Sequence, residues 1–192
     1  YRDLSIEANR RLFITADGKP ASGQDSVVKY TDNSFFVGSQ ETTPNDLYMT
    51  PDGTRVFICG KITDSVYQYD LSTAYEITTA AYNSVSFSVA TQSTEPDGIE
   101  FSSDGTKMYV LEASNQTTYQ YTLATGFDLS TASYASKSYT SSEAGANELK
   151  AVRISADGTK LYLTGNVGSI FQYTLSTAYD ISTATYSNLS LS

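Results

Sequence analysis

One line of sequence recurs three times, and it constrains the fold of this chain more than any other feature. VYQYDLSTAYEITTAAY (66–82) returns as TYQYTLATGFDLSTASY (118–134) and as IFQYTLSTAYDISTATY (170–186). Successive copies begin 52 residues apart, at 66, 118 and 170. A repeat of about this length indicates an architecture in which one supersecondary unit is stacked several times.

An Asp-Gly pair precedes each copy of this line by 13 or 14 residues. Asp52-Gly53, Asp104-Gly105 and Asp157-Gly158 each lie between two short alternating runs, such as IEFS and KMYV. This arrangement predicts a β-hairpin in which both central turn residues adopt positive φ. With the Tyr-Gln-Tyr run as a third strand and a run such as YNSVSFSV as a fourth, each repeat holds four strands, A to D.

The first forty-odd residues fit the same frame. LSIEANRRLFI (4–14) matches LYMTPDGTRVFI (47–58), SVVKYT (26–31) matches SVYQYD (65–70), and NSFFVG (33–38) supplies a strand D. Four-stranded repeats of this length predict an all-β propeller with four blades in a single domain, 1–192. The predicted blades cover approximately 1–43, 44–95, 96–146 and 147–192.

Both faces of the predicted strands carry bulky side chains. In VYQYDL (66–71), Tyr67 and Tyr69 point to one side of the strand, whereas Val66 and Gln68 point to the other. A blade of this kind must be covered on both faces. The ring is therefore either a closed four-bladed one or half of a larger one. The chain has no cysteine pair to lock a seam and runs from strand A to strand D, so we favour the larger ring, formed either by two chains of four blades or by a longer parent protein of seven or eight blades.

Residues 95–123, EPDGIEFSSDGTKMYVLEASNQTTYQYTL, resemble a known repeat. They are similar to the blade of the YVTN/surface-layer propellers, which reads P-x-G-[apolar]-x-F-S-x-D-G-x-K-x-Y-V. LSTAYDISTATY (175–186) resembles a longer variant of that blade in phage and marine bacterial repeat proteins. Such families include surface-layer and adhesion proteins, phage structural proteins and a minority of enzymes such as lactonases. The resemblance implies the propeller fold and leaves the function to the sites.

The composition excludes several kinds of chemistry and partner. The chain has no His and a single Cys, Cys59, so it has no Ser–His–Asp triad, no Cys–His dyad and no His-ligated metal. A net charge of −9 without a basic run argues against nucleic acid and membrane as partners. Most acidic residues recur with the repeat, whereas catalytic residues usually break it. We therefore expect no enzyme, although a pair of carboxylates can still provide acid–base chemistry.

One set of acidic residues lies one to four positions before strand A of each repeat. In a propeller these connections open at the mouth of the central channel, where a ring of carboxylates can hold a cation such as calcium. The alternative is that these residues only start turns. No other cofactor is expected. The candidate metal ligands are Asp3, Asp46, Asp97 and Glu148.

The loops between strands B and C differ most between the repeats. They cover 17–25, 60–64, 112–117 and 164–169. Recognition residues concentrate on loops that a rigid scaffold holds, and amide and carboxylate groups there suit a glycan or a protein partner. The alternative is that the loops simply tolerate variation. The candidate binding residues are Asp64, Asn115, Gln116 and Asn166.

Together these features favour a non-enzymatic structural or adhesive propeller module, extracellular or on a virion surface. Its rim loops would bind a glycan or protein partner. A further alternative is an assembly module that completes a ring with another copy of the chain. The alternative function is a secreted hydrolase of lactonase or glycosidase type that uses the carboxylates at the channel mouth.

Overall fold

The structure is a computed structural model that describes residues 34–143, 149–165 and 168–191. For residues 188–191 it describes the backbone only. All of these residues belong to one compact part of the chain, 34–192. Within them no helix is long and apolar enough to cross a membrane. The strands are β1 (Pro44–Met49), β2 (Arg55–Gly60), β3 (Ser65–Leu71), β4 (Ala80–Ser88), β5 (Pro96–Phe101), β6 (Lys107–Glu112), β7 (Thr117–Leu123), β8 (Ala132–Thr140), β9 (Leu149–Ile154), β10 (Lys160–Gly165), β11 (Ile170–Leu175) and β12 (Ala184–Leu191).

These strands form three antiparallel meanders, in the orders β1-β2-β3-β4, β5-β6-β7-β8 and β9-β10-β11-β12. Each sheet lies inside one predicted repeat, and we call them blades 2, 3 and 4. The first strands of consecutive sheets lie beside each other, β1 next to β5 and β5 next to β9. The all-β propeller prediction is therefore confirmed. The predicted blade 1–43 lies largely outside the described residues and stays a prediction.

The core lies between the blades, because each sheet presents apolar side chains on both faces. Cys59 is fully buried and behaves as the small apolar residue that its sequence context indicates. Full burial of an aliphatic or aromatic side chain contributes about 1.5–3 kcal/mol to stability. Between blades 2 and 3 the buried residues include Phe57, Val66, Ile99, Met108, Val110 and Tyr121.

Each Asp-Gly pair closes the hairpin between the first and second strands of its blade. The glycines have positive φ, 69° at Gly53 and 71° at Gly105 and Gly158, but the aspartates do not. The prediction that both turn residues would adopt positive φ is therefore wrong. Instead the aspartate side chain holds the turn, as Asp52 Oδ1 accepts hydrogen bonds from the Thr54 amide and the Thr50 hydroxyl.

The line that recurs three times continues from the third strand into a fold-back over this hairpin. Its aromatic residue, Tyr75, Phe127 or Tyr179, lies with its ring against the turn glycine of the same blade. A 3₁₀ turn follows, and in blades 3 and 4 it is capped by the acid of the line. The fold-backs end in the 3₁₀ turns Ile77–Thr79, Leu129–Thr131 and Ile181–Thr183.

Replacing Gly158 with Ala is expected to lower the free energy of unfolding by about 2–4 kcal/mol, because positive φ and crowding act together. A Cβ at this position would lie 2.5 Å from the Tyr179 ring. Gly168 has a similar φ, 72°, and no atom of the described residues lies within 4 Å of its Cβ position. Gly168→Ala is the matched control and is expected to cost only about 1 kcal/mol. Equal losses in urea unfolding would contradict the role given to the aromatic ring.

Asp157 is expected to make stability depend on pH in the acid range. The hydroxyl of Ser155 and the amide of Thr159 donate to its carboxylate and lower its pKa from 3.8 to about 2. Because the folded pKa is depressed, the stabilisation is complete above pH 3.8 and is lost as the pH falls through 2. Asp157→Asn should therefore unfold more easily than the parent protein at neutral pH. The two melting temperatures should converge near pH 2, and a constant difference would contradict this account.

Candidate functional site

The first strands of the three blades carry different residues at one equivalent position. Tyr48, Glu100 and Arg153 each pair with the third residue of the neighbouring second strand, which is Phe57, Tyr109 or Tyr162. The flanking positions repeat an apolar pattern, but this one changes from aromatic to acidic to basic. Since the first strands lie side by side, this position brings unlike side chains from different blades together.

A guanidinium group joins two carboxylates at this place. Arg153 Nε lies 3.4 Å from Glu100 Oε2, and Arg153 Nη1 lies 3.8 Å from Asp46 Oδ2. The Asp46 and Glu100 side chains are 22% and 10% exposed, whereas the Arg153 side chain is 53% exposed. We call these three residues the axial cluster. Each of its members comes from a different blade, and its cation retains an open side.

Backbone hydrogen bonds fix the two carboxylates. Asp46 Oδ2 accepts from the Ile99 amide of the next blade at 3.1 Å, and Asp46 Oδ1 accepts from the Leu47 amide. Glu100 Oε1 accepts from the Phe101 amide at 2.9 Å, which leaves Oε2 facing Arg153. These backbone bonds and the guanidinium together hold the two acids in place.

Burial sets the acid–base properties of the axial cluster. It raises the pKa of Glu100 above its ordinary value of 4.5, although the Phe101 amide and Arg153 oppose the shift. Burial, together with the charge of Glu100, also raises the pKa of Tyr48 to about 12. A carboxylate with a raised pKa is a stronger base, and a neighbouring guanidinium can stabilise a developing oxyanion. The cluster therefore carries both elements of an acyl-transfer site.

Of the predicted metal ligands, Asp46 and Asp97 are described, and both lie within first strands rather than before them. Both approach the Cys59 thiol, whose pKa is raised to about 12 by burial and then by Asp46. They are not equivalent, because Asp46 pairs with Cys59 whereas Gly98 takes that place in blade 3. Asp97 instead accepts a hydrogen bond from the Ala113 amide.

Asp3 and Glu148 lie outside the described residues. In the part of the chain that the structure describes, no group of three or more His, Cys, Asp or Glu side chains could hold a metal ion. The calcium site at the channel mouth thus stays a prediction.

The predicted rim residues have structural contacts of their own. Asp64 and Gln116 have positive φ, and their carbonyls accept from the Val89 and Ser141 amides that follow the fourth strands. Asn115 Oδ1 accepts from the Thr117 amide at 3.0 Å, which shapes the same loop. Ligand binding by these loops stays a prediction, and Asn166 lies outside the described residues.

Glu100 and Arg153 were not among the residues that the sequence singled out. A signal for them was present, because they break the repeat at a strand position where the other copies place different side chains. Reading the three first strands column by column, rather than searching for recurring acids, would have found them.

Solved structures resemble this chain in fold. A putative 6-phosphogluconolactonase from Bacteroides uniformis shares 15% identity at a TM-score of 0.55, over 90% of this chain and 48% of that one. The periplasmic gluconolactonase of Pseudomonas aeruginosa shares 17% identity at a TM-score of 0.53, over 78% of this chain and 40% of that one. A Lactobacillus plantarum protein shares 18% identity at a TM-score of 0.55, over 78% of this chain and 41% of that one. The chain thus spans less than half of each structure, and identities this low show the fold alone.

The sequence itself gives the family. None of the curated proteins compared with the chain matches it. The family described as "Lactonase, 7-bladed beta-propeller" matches residues 11–185. This match overturns the expectation of a non-enzymatic structural or adhesive module and favours the hydrolase alternative. The expected virion surface has no support either. The chain belongs to the lactonase family of seven-bladed β-propellers.

Proposed function

We propose that this chain forms part of a lactone hydrolase whose reaction takes place at the axial cluster. The observation that carries the proposal is the 3.4 Å approach of Arg153 to Glu100, a partly buried carboxylate with a raised pKa, in a chain of the lactonase family. Hydrolysis of a lactone needs a base for water and a charge opposite the oxyanion, and these two side chains provide both.

In the proposed reaction Glu100 accepts a proton from water as the water oxygen attacks the lactone carbonyl carbon. The carbonyl becomes a tetrahedral oxyanion, which the exposed side of the Arg153 guanidinium stabilises. The ring C–O bond then breaks, and the proton held by Glu100 passes to the leaving ring oxygen. The product is the open hydroxy acid. Asp46 keeps Arg153 in place through their contact of 3.8 Å and is a positioning residue.

A sugar lactone is the substrate class that we propose. Two of the similar structures are described as gluconolactonases or 6-phosphogluconolactonases, and these names apply to those proteins. Cleavage of a glycoside is less well supported, because neither the family description nor the names of these structures refer to it. An exported location also belongs to the proposal, since the Pseudomonas aeruginosa protein is described as periplasmic. The finer YVTN-type resemblance concerns the blade sequence and adds nothing to the chemistry.

The proposal is tested by recording proton release from a panel of aldonolactones, with and without a phosphate, alongside nitrophenyl glycosides. We expect hydrolysis of at least one aldonolactone above its spontaneous rate and no glycoside cleavage. Cleavage of a glycoside alone, or no acceleration of any lactone, would overturn the proposed function.

A further inference from the structure

The first strand of blade 2 places a tyrosine beside the axial cluster. Tyr48 occupies the strand position that Glu100 holds in blade 3 and Arg153 holds in blade 4. The first strands of blades 2 and 3 lie side by side, and the Tyr48 ring reaches the second of them. Its centre lies 4.9 Å from the ring centre of Phe101, the residue that follows Glu100. Tyr48 therefore lies next to the strand that carries the proposed base.

Packing holds the Tyr48 ring in one place. Besides Phe101, the ring packs against Phe57 of its own blade and stacks on Phe127 of the next fold-back, with ring centres 6.5 Å and 6.2 Å apart. Phe57 and Phe101 are both buried, so two of these three neighbours belong to the core. A ring held in this way loses little freedom when a substrate binds, and its hydroxyl is preorganised.

The Tyr48 hydroxyl makes no hydrogen bond within the part of the chain that the structure describes, and the residue is only half-buried. Burial and then the charge of Glu100 raise the pKa of this phenol to about 12, although Arg153 opposes the shift. The phenol therefore keeps its proton at every pH at which a carboxylate first becomes a base. It can donate a hydrogen bond, but it cannot replace Glu100 as the base. The site thus holds a free donor within the electric field of the base and the guanidinium.

We propose that Tyr48 is a further catalytic residue, whose hydroxyl donates a hydrogen bond to the lactone oxyanion alongside Arg153. This inference rests on the proposed function, because the oxyanion forms only when water attacks the lactone carbonyl. An oxyanion accepts more than one hydrogen bond, and Arg153 is already shared between two carboxylates. A neutral donor that no other group engages adds to the stabilisation of the transition state. The phenol keeps its proton throughout, so the proton transfers assigned to Glu100 are unchanged.

Tyr48→Phe tests the proposal, because it removes the hydroxyl and keeps the ring that packs against Phe101. In the full chain we expect kcat for an aldonolactone to fall about 100-fold, the usual effect of losing one oxyanion donor, while KM changes by no more than about twofold. Tyr67→Phe is the matched control and should behave like the parent chain. Tyr67 is another half-buried tyrosine of blade 2, and it packs against the cluster that contains Ile58, on the opposite face of the blade.

A binding measurement separates this inference from the proposed function. A cyclic phosphonate analogue of the aldonolactone carries a tetrahedral anion at the reacting centre, whereas the corresponding lactam carries a neutral carbonyl. In titration calorimetry, Tyr48→Phe should weaken binding of the phosphonate about 30-fold and binding of the lactam about threefold or less. The difference is expected because hydrogen bonds to charged groups are the stronger ones.

An unchanged kcat in a folded Tyr48→Phe chain, or equal weakening of both analogues, would overturn the role of Tyr48 while lactone hydrolysis stands. A comparable loss in Tyr67→Phe would also overturn it, because the effect would then not depend on the axial cluster. A parent chain that binds the phosphonate through Tyr48 but hydrolyses no lactone would overturn the proposed function and retain Tyr48 as a donor to a tetrahedral anion. A parent chain that does neither would overturn both.

Discussion

Replacing Glu100 with Gln is expected to lower kcat/KM for sugar-lactone hydrolysis by about two to four orders of magnitude, the usual contribution of a general base. Gln can still accept the Phe101 amide at the same place, so the fold should be retained. The side-chain amide of the new glutamine cannot accept a proton from water, and it carries no negative charge to balance the Arg153 guanidinium. The loss should appear in kcat, because the base acts in the transition state.

Glu112 provides the matched control for this substitution. It is a glutamate of the same blade, 6% exposed, and its carboxylate accepts from the Ser114 hydroxyl instead of facing Arg153. Glu112→Gln should leave kcat/KM within about twofold of the parent value, since Glu112 is not part of the axial cluster and makes no contact that the transition state would use. Similar losses in both variants would indicate a general effect of buried charge and would contradict the role assigned to Glu100.

Replacing Gln120 with Leu is expected to lower the free energy of unfolding by about 1–3 kcal/mol. Its side-chain oxygen is the acceptor for the Ile181 amide, and Ile181 is fully buried. Leucine has a similar volume but leaves that amide without a partner, and water cannot replace the lost acceptor. Urea unfolding followed by circular dichroism measures the change.

Gln172 is the control that the repeat itself supplies. It occupies the same position in blade 4 but has no fold-back to hold among the described residues. Gln172→Leu should therefore change the free energy of unfolding of the chain by no more than about 0.5 kcal/mol, when this is measured on the monomer in dilute solution. Equal losses at positions 120 and 172 would show that the glutamine matters within its own blade and does not join two blades.

The sequence predicted the blades because they follow from local patterns. Three signals act within one repeat: the alternation of side chains along each strand, the Asp-Gly turns and the recurring Tyr-Gln-Tyr line. Strands form from such short-range signals. Even the two faces of VYQYDL (66–71) were predictable, with Gln68 opposite Tyr69. The hydrogen-bond partner of Gln68 was not predictable, because Leu129 belongs to another blade and lies 61 residues away in the sequence.

The two described candidate metal ligands, Asp46 and Asp97, make different contacts for a physical reason. Register irregularities lie between Pro44 and Asp46 and between Pro96 and Gly98. A shift of one residue turns a side chain to the opposite side of a strand, so acids at nearly the same spacing acquire different partners. Asp46 reaches the next blade, whereas Asp97 caps its own loop.

Enzymatic function was discounted because histidine is absent and the acids recur. In the proposed function, Glu100 and Arg153 provide acid–base and oxyanion-stabilising groups that this reasoning did not consider. A base and an oxyanion-stabilising group need neither histidine nor proximity in sequence when the packing of blades brings two first strands together. Their encounter depends on the angle between sheets, which no pattern within one repeat encodes.

The most direct measurement of the central claim is the pH dependence of kcat/KM for an aldonolactone. Because burial raises the pKa of Glu100, the rate should increase with pH through a midpoint above 4.5, as the carboxylate becomes the base. Glu100→Gln should show no such rise. A midpoint at or below 4.5, or an unchanged profile in the variant, would contradict the assignment of the axial cluster as the site of lactone hydrolysis.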